Sequence, residues 1–404
     1  LRSLQEKTMS LDLTATLSDL VSLPSVNPMG RDLTGEIFFE HRVTAYLEGL
    51  FSRLGLEWQR QTVHPGRENI VARLDGAVPP SQGGKVLLFE AHQDTVPVDG
   101  MTIDPFKPTV RDGKIYGRGS CDIKGGMVAM LGAVARLAKE RPPQMPTIIM
   151  ACTADEEHGH TGVIELTKLW AKGAKSIFPR EPDAAIVAEP TSLNAVVAHK
   201  GAARWRCTTR GRAAHSSQPH LGDNAIYKMA RVLRAFESYA REVAPKVPSH
   251  RLCGQATLSV GIIKGGLSIN TVPAECTIEI DRRVLPGESN EEVYRQIIDY
   301  VNRFEGVDFP LEHGPRWGGP SLPDTHNGPL ADRLLAVVRK LYNTGEKIGV
   351  PYGTDASTIA EAGVPSVVFG PGSIDQAHTA DEWLSLDQLT KASDALYEFA
   401  KQGL

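Results

Sequence analysis

The sequence predicts an α/β protein: a mainly parallel sheet covered by helices on both faces, with an inserted α+β domain of ferredoxin-like order. Three observations predict it. Short apolar runs alternate with helical periodicity through the first half of the chain. Past residue 195 the order changes to β-α-β-β-α-β, and near the C-terminus the first pattern resumes. The length of 404 residues also exceeds the roughly 250 to 300 at which a single core stops growing, so two domains are expected.

Residues 10–24 and 36–55 carry apolar residues at three- and four-residue steps, among them Leu13, Leu17 and Leu20 and then Phe39, Val43, Leu47, Leu50 and Leu54, which predicts two opening helices. The runs NIVARL (69–74), KVLLFEAH (85–92), TIIMACTA (147–154) and AAIVAEP (184–190) predict strands, with a helix over 126–139 between the second and third. Strands that are apolar throughout belong to sheets covered on both faces. Beyond residue 195, a strand over 196–210 leads to a helix over 223–242, strands over 256–264 and 274–284, a helix over 290–304 and a short strand near 307–312. Ser289 and Glu292 form a capping-box pair at the start of that second helix. A helix over 329–343, the strand PSVVFG (365–370) and a helix from Asp387 restore the first pattern. The chain therefore reads as one α/β domain, 1–195 and 313–404, interrupted by an inserted domain at 196–312, with the Pro/Gly-rich stretch 314–323 as the return linker. The segment before Met9 reads as a short extension, and no function is expected of it.

A net charge of -4 and a pI near 6.3 exclude the global basic excess that draws nucleic acid or an anionic membrane. A small molecule is the expected partner. The five cysteines, Cys121, Cys152, Cys207, Cys253 and Cys276, are odd in number and never in C-x-x-C spacing, which argues against a disulfide framework or a thiolate zinc site. No apolar run approaches the roughly 18 to 20 residues of a membrane span, and a soluble cytoplasmic protein is expected.

TADEEHGHTG (153–162) follows a buried strand and places three carboxylates and two histidines around a glycine. Acidic residues in the first turn of a helix would account for Asp155, Glu156 and Glu157 by dipole complementarity; a metal site with an adjacent acid/base group is the alternative. Ligands in open α/β sheets bind beyond the carboxyl ends of the strands. There the chain offers His92 and Asp94 in HQD, Asp122 in the Gly-rich turn GRGSCDIKGG, Glu156 and Glu157, Glu189, and His378 in DQAHTADE. Two imidazoles and three carboxylates without a thiolate suit zinc, with cobalt or manganese as substitutes. Asp122, flanked by glycines, is the candidate bridge between two ions, and two dications, three carboxylates (Asp122, Glu157, Glu189) and one hydroxide sum to zero charge. Asp94, two residues past His92, points the same way along a strand and can accept the second imidazole N–H. Glu156 is then the candidate proton carrier between water and a leaving amine.

Six motifs in register, HQDTVPVDG, GRGSCDIKGG, TADEEHGHTG, AEPTSL, GRAAHSSQP and GPGSIDQAHTADEWL, resemble the successive signatures of the dinuclear zinc metallopeptidases that include acetylornithine deacetylase, succinyl-diaminopimelate desuccinylase, aminoacylase and glutamate carboxypeptidase. The resemblance implies that His92 and Glu189 hold one metal, Glu157 and His378 the other, and Asp122 bridges them. It implies Glu156 as the general base and Asp94 as its neighbour behind His92. The inserted domain would be a lid and homodimerisation surface, from which His215 reaches the partner subunit's site to stabilise the oxyanion. Asn270 and Arg283 would bind the substrate carboxylate, Arg by its bidentate fork, and Gly353, Thr354 and Asp355 of PYGTDAS would line the substrate. Arg282, adjacent on the strand, is expected at the surface, solvated or salt-bridged. Cys121 reads as packing, and His158 and His160 as solvent-facing or helix-capping. DGKIYGRG lacks the spacing of a dinucleotide fingerprint.

What the resemblance implies is a metal-dependent amidohydrolase that removes an N-acyl group from an amino acid, closest to acetylornithine deacetylase. A dipeptidase, carboxypeptidase or desuccinylase would use the same metals with another pocket. A silent binding protein on this scaffold is disfavoured because His92, Asp122, Glu156, Glu157, Glu189 and His378 are all present.

Overall fold

The structure, a computed structural model, describes residues 11–404, so the extension before Met9 lies outside the described residues. The chain divides into two compact units: one comprises the chain up to Val197, Asp324–Ile348 and Thr354–Leu404, the other Ala198–Pro323 and Gly349–Gly353. The return to the first unit thus falls at 323/324, because 314–322 is not a free linker: Trp317 bridges Arg204 of the inserted sheet, and Leu322 bridges His199 just before it.

The first unit is built on an eight-stranded sheet in the order Glu57–His64, Arg67–Leu74, Thr147–Thr153, Val86–His92, Ala184–Val187, Ser366–Val368, Ala195–His199 and Lys347–Val350. Its central strands, Thr147–Thr153 to Ser366–Val368, pair in parallel. Antiparallel pairs flank them on both sides. Every residue of Val86–His92, Thr147–Thr153 and Ala184–Val187 is buried. Since successive side chains alternate faces, both faces of the sheet centre are covered. Helices His41–Arg53, Lys124–Glu140 and Gly328–Tyr342 pack on the sheet, and Leu13–Val21 and Leu386–Lys401 pack on Lys124–Glu140. That helix is buried along most of its length. Its small residues allow the close approach: a Cβ at Gly132 would meet Leu13 and Ser393 at 2.5 Å. No described helix is long and apolar enough to cross a membrane.

The second unit carries a four-stranded antiparallel sheet in the order Thr257–Gly265, Glu275–Val284, Gly201–Arg210 and Leu311–His313. Helices Ala225–Ser238 and Asn290–Asn302 follow the first and third of these strands in the chain, which is the ferredoxin-like arrangement. Trp205, Cys207, Met229, Phe236, Ile278, Ile280 and Ile297 form its core. Along Glu275–Val284 the even positions are buried, which puts Arg282 on the core face between Ile280 and Val284. Arg282 is 0% exposed and paired with Glu288 at 2.9 Å, so its expected surface position is corrected: the two arginines do face opposite ways, but the strand register turns Arg282 inward and Arg283 outward.

Candidate metal and catalytic site

The parallel strands end together on one edge of the sheet, where the register sets His92 beside Thr153 and Glu90 beside Val187. Each following loop delivers one functional group. Asp122 lies in the turn before Lys124–Glu140, the Asp122–Ile123 peptide being cis. Its two oxygens face different imidazoles: Oδ1 is 3.2 Å from His92 Nε2 and Oδ2 is 3.3 Å from His378 Nε2. His378 Nε2 is also 3.3 Å from Glu157 Oε2, and His92 Nε2 is 4.0 Å from Glu189 Oε1. Glu156 stands with His92 and Glu189 in one group of potential ligand atoms within 4.8 Å. All of these belong to the first unit.

The segment Asp155–Glu157 is not the first turn of a helix; the next helix is Thr161–Thr167, with no acidic residue in its first turn. Asp155 instead adopts a left-handed φ of 65°, and its carbonyl accepts from Gly159 N and His160 N at 3.2 and 2.6 Å, closing a tight turn. Its carboxylate is held by Asn27, Arg67 and Thr161 at 2.9, 2.7 and 2.6 Å. Asp155 is therefore the scaffold, and Glu156 and Glu157 are what it presents.

Asp94 works differently from the expected imidazole acceptor. The Nδ1–H of His92 donates to the main-chain carbonyl of Asp94 at 3.0 Å, while the Asp94 carboxylate is 3.7 Å away. The carbonyl fixes the tautomer that turns Nε2 toward Asp122. The carboxylate accepts from Glu156 N at 3.1 Å, Glu157 N at 3.2 Å and Asn27 Nδ2 at 2.8 Å. It positions both glutamates at once.

Three supports were not legible as site residues. Glu382 is fully buried and accepts from Gly119 N, Cys121 N and Asp122 N at 2.9, 2.8 and 3.0 Å and from Arg118 at 2.8 Å, which fixes the loop that carries Asp122. Arg67 forks onto Glu40 and reaches Asp155, and Asn27 joins Asp94 to Asp155. The signal available for Glu382 was its place in HTADE, four residues past His378. Nothing in the local sequence marked Arg67 or Asn27. Cys121 is buried with its Sγ toward Ser373 O at 3.5 Å.

Burial pushes the Glu156 pKa up to about 8, and burial with the neighbouring Asp122 charge also raises Glu157 and Glu189. Burial disfavours a charged His92, yet Asp122 and the surrounding carboxylates outweigh it and hold its pKa well above the usual range. Hydrogen bonds to Asp122 and Glu157 carry His378, which is half exposed, up to about 10. Sites that draw protons onto imidazoles this strongly draw cations for the same reason. Glu157 Oε1 is buried with no hydrogen-bond partner among the described residues, an orphan acceptor that a cation would satisfy. The oxygen and nitrogen donors thus fit a pair of divalent ions, with Asp122 able to face both.

The second unit places its expected residues in two groups. His215 pairs with Thr271, and Ser216 N donates to Asn270 O at 3.0 Å, so His215 and Asn270 occupy neighbouring exposed loops. Arg283 lies at the far end of the sheet, opposite Ala202 and Thr257, where its Nε is 2.9 Å from Asp281. Gly353 is close to Lys200 O, at that same end. Asp355 and Thr354 belong to the first unit and are 1% and 2% exposed. The Asp355 oxygens are engaged by His160 at 2.9 Å and Thr153 at 3.3 Å, rather than open to a substrate. His160 precedes Thr161–Thr167 but makes no side-chain cap bond; its ring turns to Asp355 instead, unlike the solvent-facing or capping role expected of it.

Residues 88–402 match the sequence family described as Peptidase family M20/M25/M40. The chain is 31% identical to an acetylornithine deacetylase of Vibrio campbellii, covering 88% of this chain and 89% of that one. It is 28% identical to an N-formyl-4-amino-5-aminomethyl-2-methylpyrimidine deformylase of Bacillus subtilis, covering 94% and 92%. The fold is shared with an M20 family metallo-carboxypeptidase of Sulfolobus solfataricus at a TM-score of 0.77 and 19% identity, over 97% of this chain and 99% of that one. The match across most of the chain, together with the His/carboxylate cluster at the sheet edge, establishes that the chain belongs to the M20/M25/M40 peptidase family, a family of metal-dependent hydrolases of C–N bonds.

Proposed function

We propose that the protein is a dinuclear zinc amidohydrolase that removes a short acyl group from the nitrogen of an amino acid, with a reaction like that of acetylornithine deacetylase. The observation that carries the reading is Asp122 set between two imidazoles, one oxygen toward each, with Glu156 alongside. His92 and Glu189 would hold one ion, Glu157 and His378 the other, and Asp122 both. Bound ions would polarise the amide carbonyl and acidify water. Glu156 takes the proton from the attacking water and returns it to the departing amine. A raised pKa suits that two-way traffic.

The lid residues act from two copies of the chain. Between Glu275 and Arg283 the strand runs about 27 Å at ~3.4 Å per residue, and His215 and Asn270 lie beyond its far end. One small substrate cannot touch both groups of a single lid. Arg283 would bind the substrate carboxylate, and His215 and Asn270 would serve the site of a partner subunit. The exposed edge strand Thr257–Gly265 and the fully exposed Leu267 and Ile269 support a homodimer through this unit. The five cysteines, all buried free thiols, support a reducing, cytoplasmic setting.

The name of the Vibrio relative supports acetyl-ornithine, and that of the Bacillus relative supports a small acyl group on a primary amine. The test is amine release by zinc-loaded protein from acetyl-ornithine, other acetyl amino acids, N-formyl amines, succinyl-diaminopimelate and dipeptides. Preference for acetyl amino acids is expected; preference for dipeptides would overturn the deacetylase reading. Glu156→Ala should keep both ions and lose about 10²- to 10⁴-fold in turnover. Near-normal turnover in that variant would remove Glu156 as the base.

A further inference from the structure

We propose that His160 is the positioning residue for Glu156, anchored by Asp355. The inference rests on the reading of Glu156 as the proton carrier. His160 sits at a left-handed φ of 52° at the end of the turn closed by the Asp155 carbonyl. The turn folds its ring back over the segment it has just left. Its Nδ1 is 2.9 Å from Asp355 Oδ1 and 3.7 Å from Glu156 Oε1, and the side chains of the three are 15%, 1% and 10% exposed. The Asp355 carboxylate offers no proton, so Nδ1 carries the hydrogen and donates it to Asp355, with Glu156 Oε1 alongside.

Asp355 cannot follow if Glu156 moves. Its second oxygen is 3.3 Å from Thr153 Oγ1, which is itself 2.6 Å from Glu90 Oε1 on the central strand Val86–His92. The chain of contacts runs from the sheet centre through Thr153 and Asp355 to His160, and ends beside the carboxyl group of Glu156. Glu156 receives its main-chain support from Asp94 on one side; His160 supplies the side-chain restraint on the other. A carboxylate that must meet water and then a leaving amine gains from having its rotamer limited by a fixed donor just beyond hydrogen-bond range.

The test compares His160→Gly and His160→Asn. Both residues accept a left-handed φ, so the backbone turn is kept, and Asn places an N–H near the position of Nδ1. The Gly variant should lose about tenfold in kcat with KM little changed, and the Asn variant should recover most of that loss. Bound metal, counted by titration, should match wild type in both; the Gly variant should unfold at a lower temperature, because it leaves the buried Asp355 without its partner, while staying folded at the assay temperature. In a cycle with Glu156→Ala, His160→Gly should cost nothing further. An equal loss with and without Glu156, loss of metal, or unchanged kcat in the Gly variant would each overturn the inference while leaving Glu156 as base. Full turnover of Glu156→Ala alone would instead overturn the underlying reading.

Discussion

Apart from the half-exposed His378, the candidate functional groups of the two units stand in opposite physical states. In the first, His92, Asp122, Glu156 and Glu189 are buried, and the loops that present them are pinned by Asp94, Asp155 and Glu382 through main-chain N–H groups and buried side chains. In the second, His215 and Asn270 are exposed and bonded within their own loops, His215 to Ser217 and Asn270 to Ser268. Preorganisation is worth most where charge must be held against its own repulsion, and a crowded carboxylate site cannot be left to mobile loops. The partner-site role proposed for His215 would need reach, and burial would deny it.

The largest expected effect tests that division directly. His215→Ala should lower kcat by about 10²- to 10³-fold. Mixing it with Glu156→Ala and allowing subunit exchange should restore about a quarter of wild-type activity, because half the dimers are mixed and each has one site with both groups. No recovery, in a mixture shown to contain mixed dimers, would break the comparison by placing His215 in its own site.

Next comes the buried wiring. Arg67→Met leaves Glu40 and Asp155 without their cation, at a cost of about 3 kcal/mol in unfolding free energy by denaturant titration. Arg67→Lys should recover little, since a point charge cannot fork onto Glu40 and still reach Asp155. A loss under 1 kcal/mol for the Met variant would mean that Asn27 and Thr161 suffice to hold the turn.

The smallest effect sharpens the second unit. Neither ring nitrogen of His313 has a hydrogen-bond partner among the described residues, and burial depresses its pKa from 6.5 to about 4. The folded state then binds fewer protons than the unfolded one between those values. Its contribution is whole above pH 6.5 and is lost as pH falls toward 4. His313→Phe should flatten that acid slope by about 2 kcal/mol, allowing for partial solvent access. Parallel stability curves for the two proteins would show that the ring charges freely in the folded lid.

The strands Val86–His92 and Thr147–Thr153 were legible because they are apolar at every position, as burial on both faces demands. Glu57–His64 was not, since this edge strand keeps one side in solvent and reads as polar. Lys347–Val350 and the helix Ala356–Glu361 are too short to carry a period. The site divides likewise. Groups at strand ends could be found from the local pattern, but Glu382 meets Asp122 from 260 residues away and Asp355 meets His160 from 195.

The sequence by itself determined the α/β class with its ferredoxin-like insertion, the family, and which histidines and carboxylates stand at the strand ends, because strand periodicity and short motifs are local properties. Only the tertiary structure decided that the Asp94 carbonyl, not its carboxylate, orients His92, that Arg282 turns inward, and that Asp355 spends its charge on His160. The first and last depend on which distant groups fill the hydrogen-bonding capacity of a buried carboxylate, and the second on which face of the strand the sheet register turns to the core; no local pattern encodes either choice.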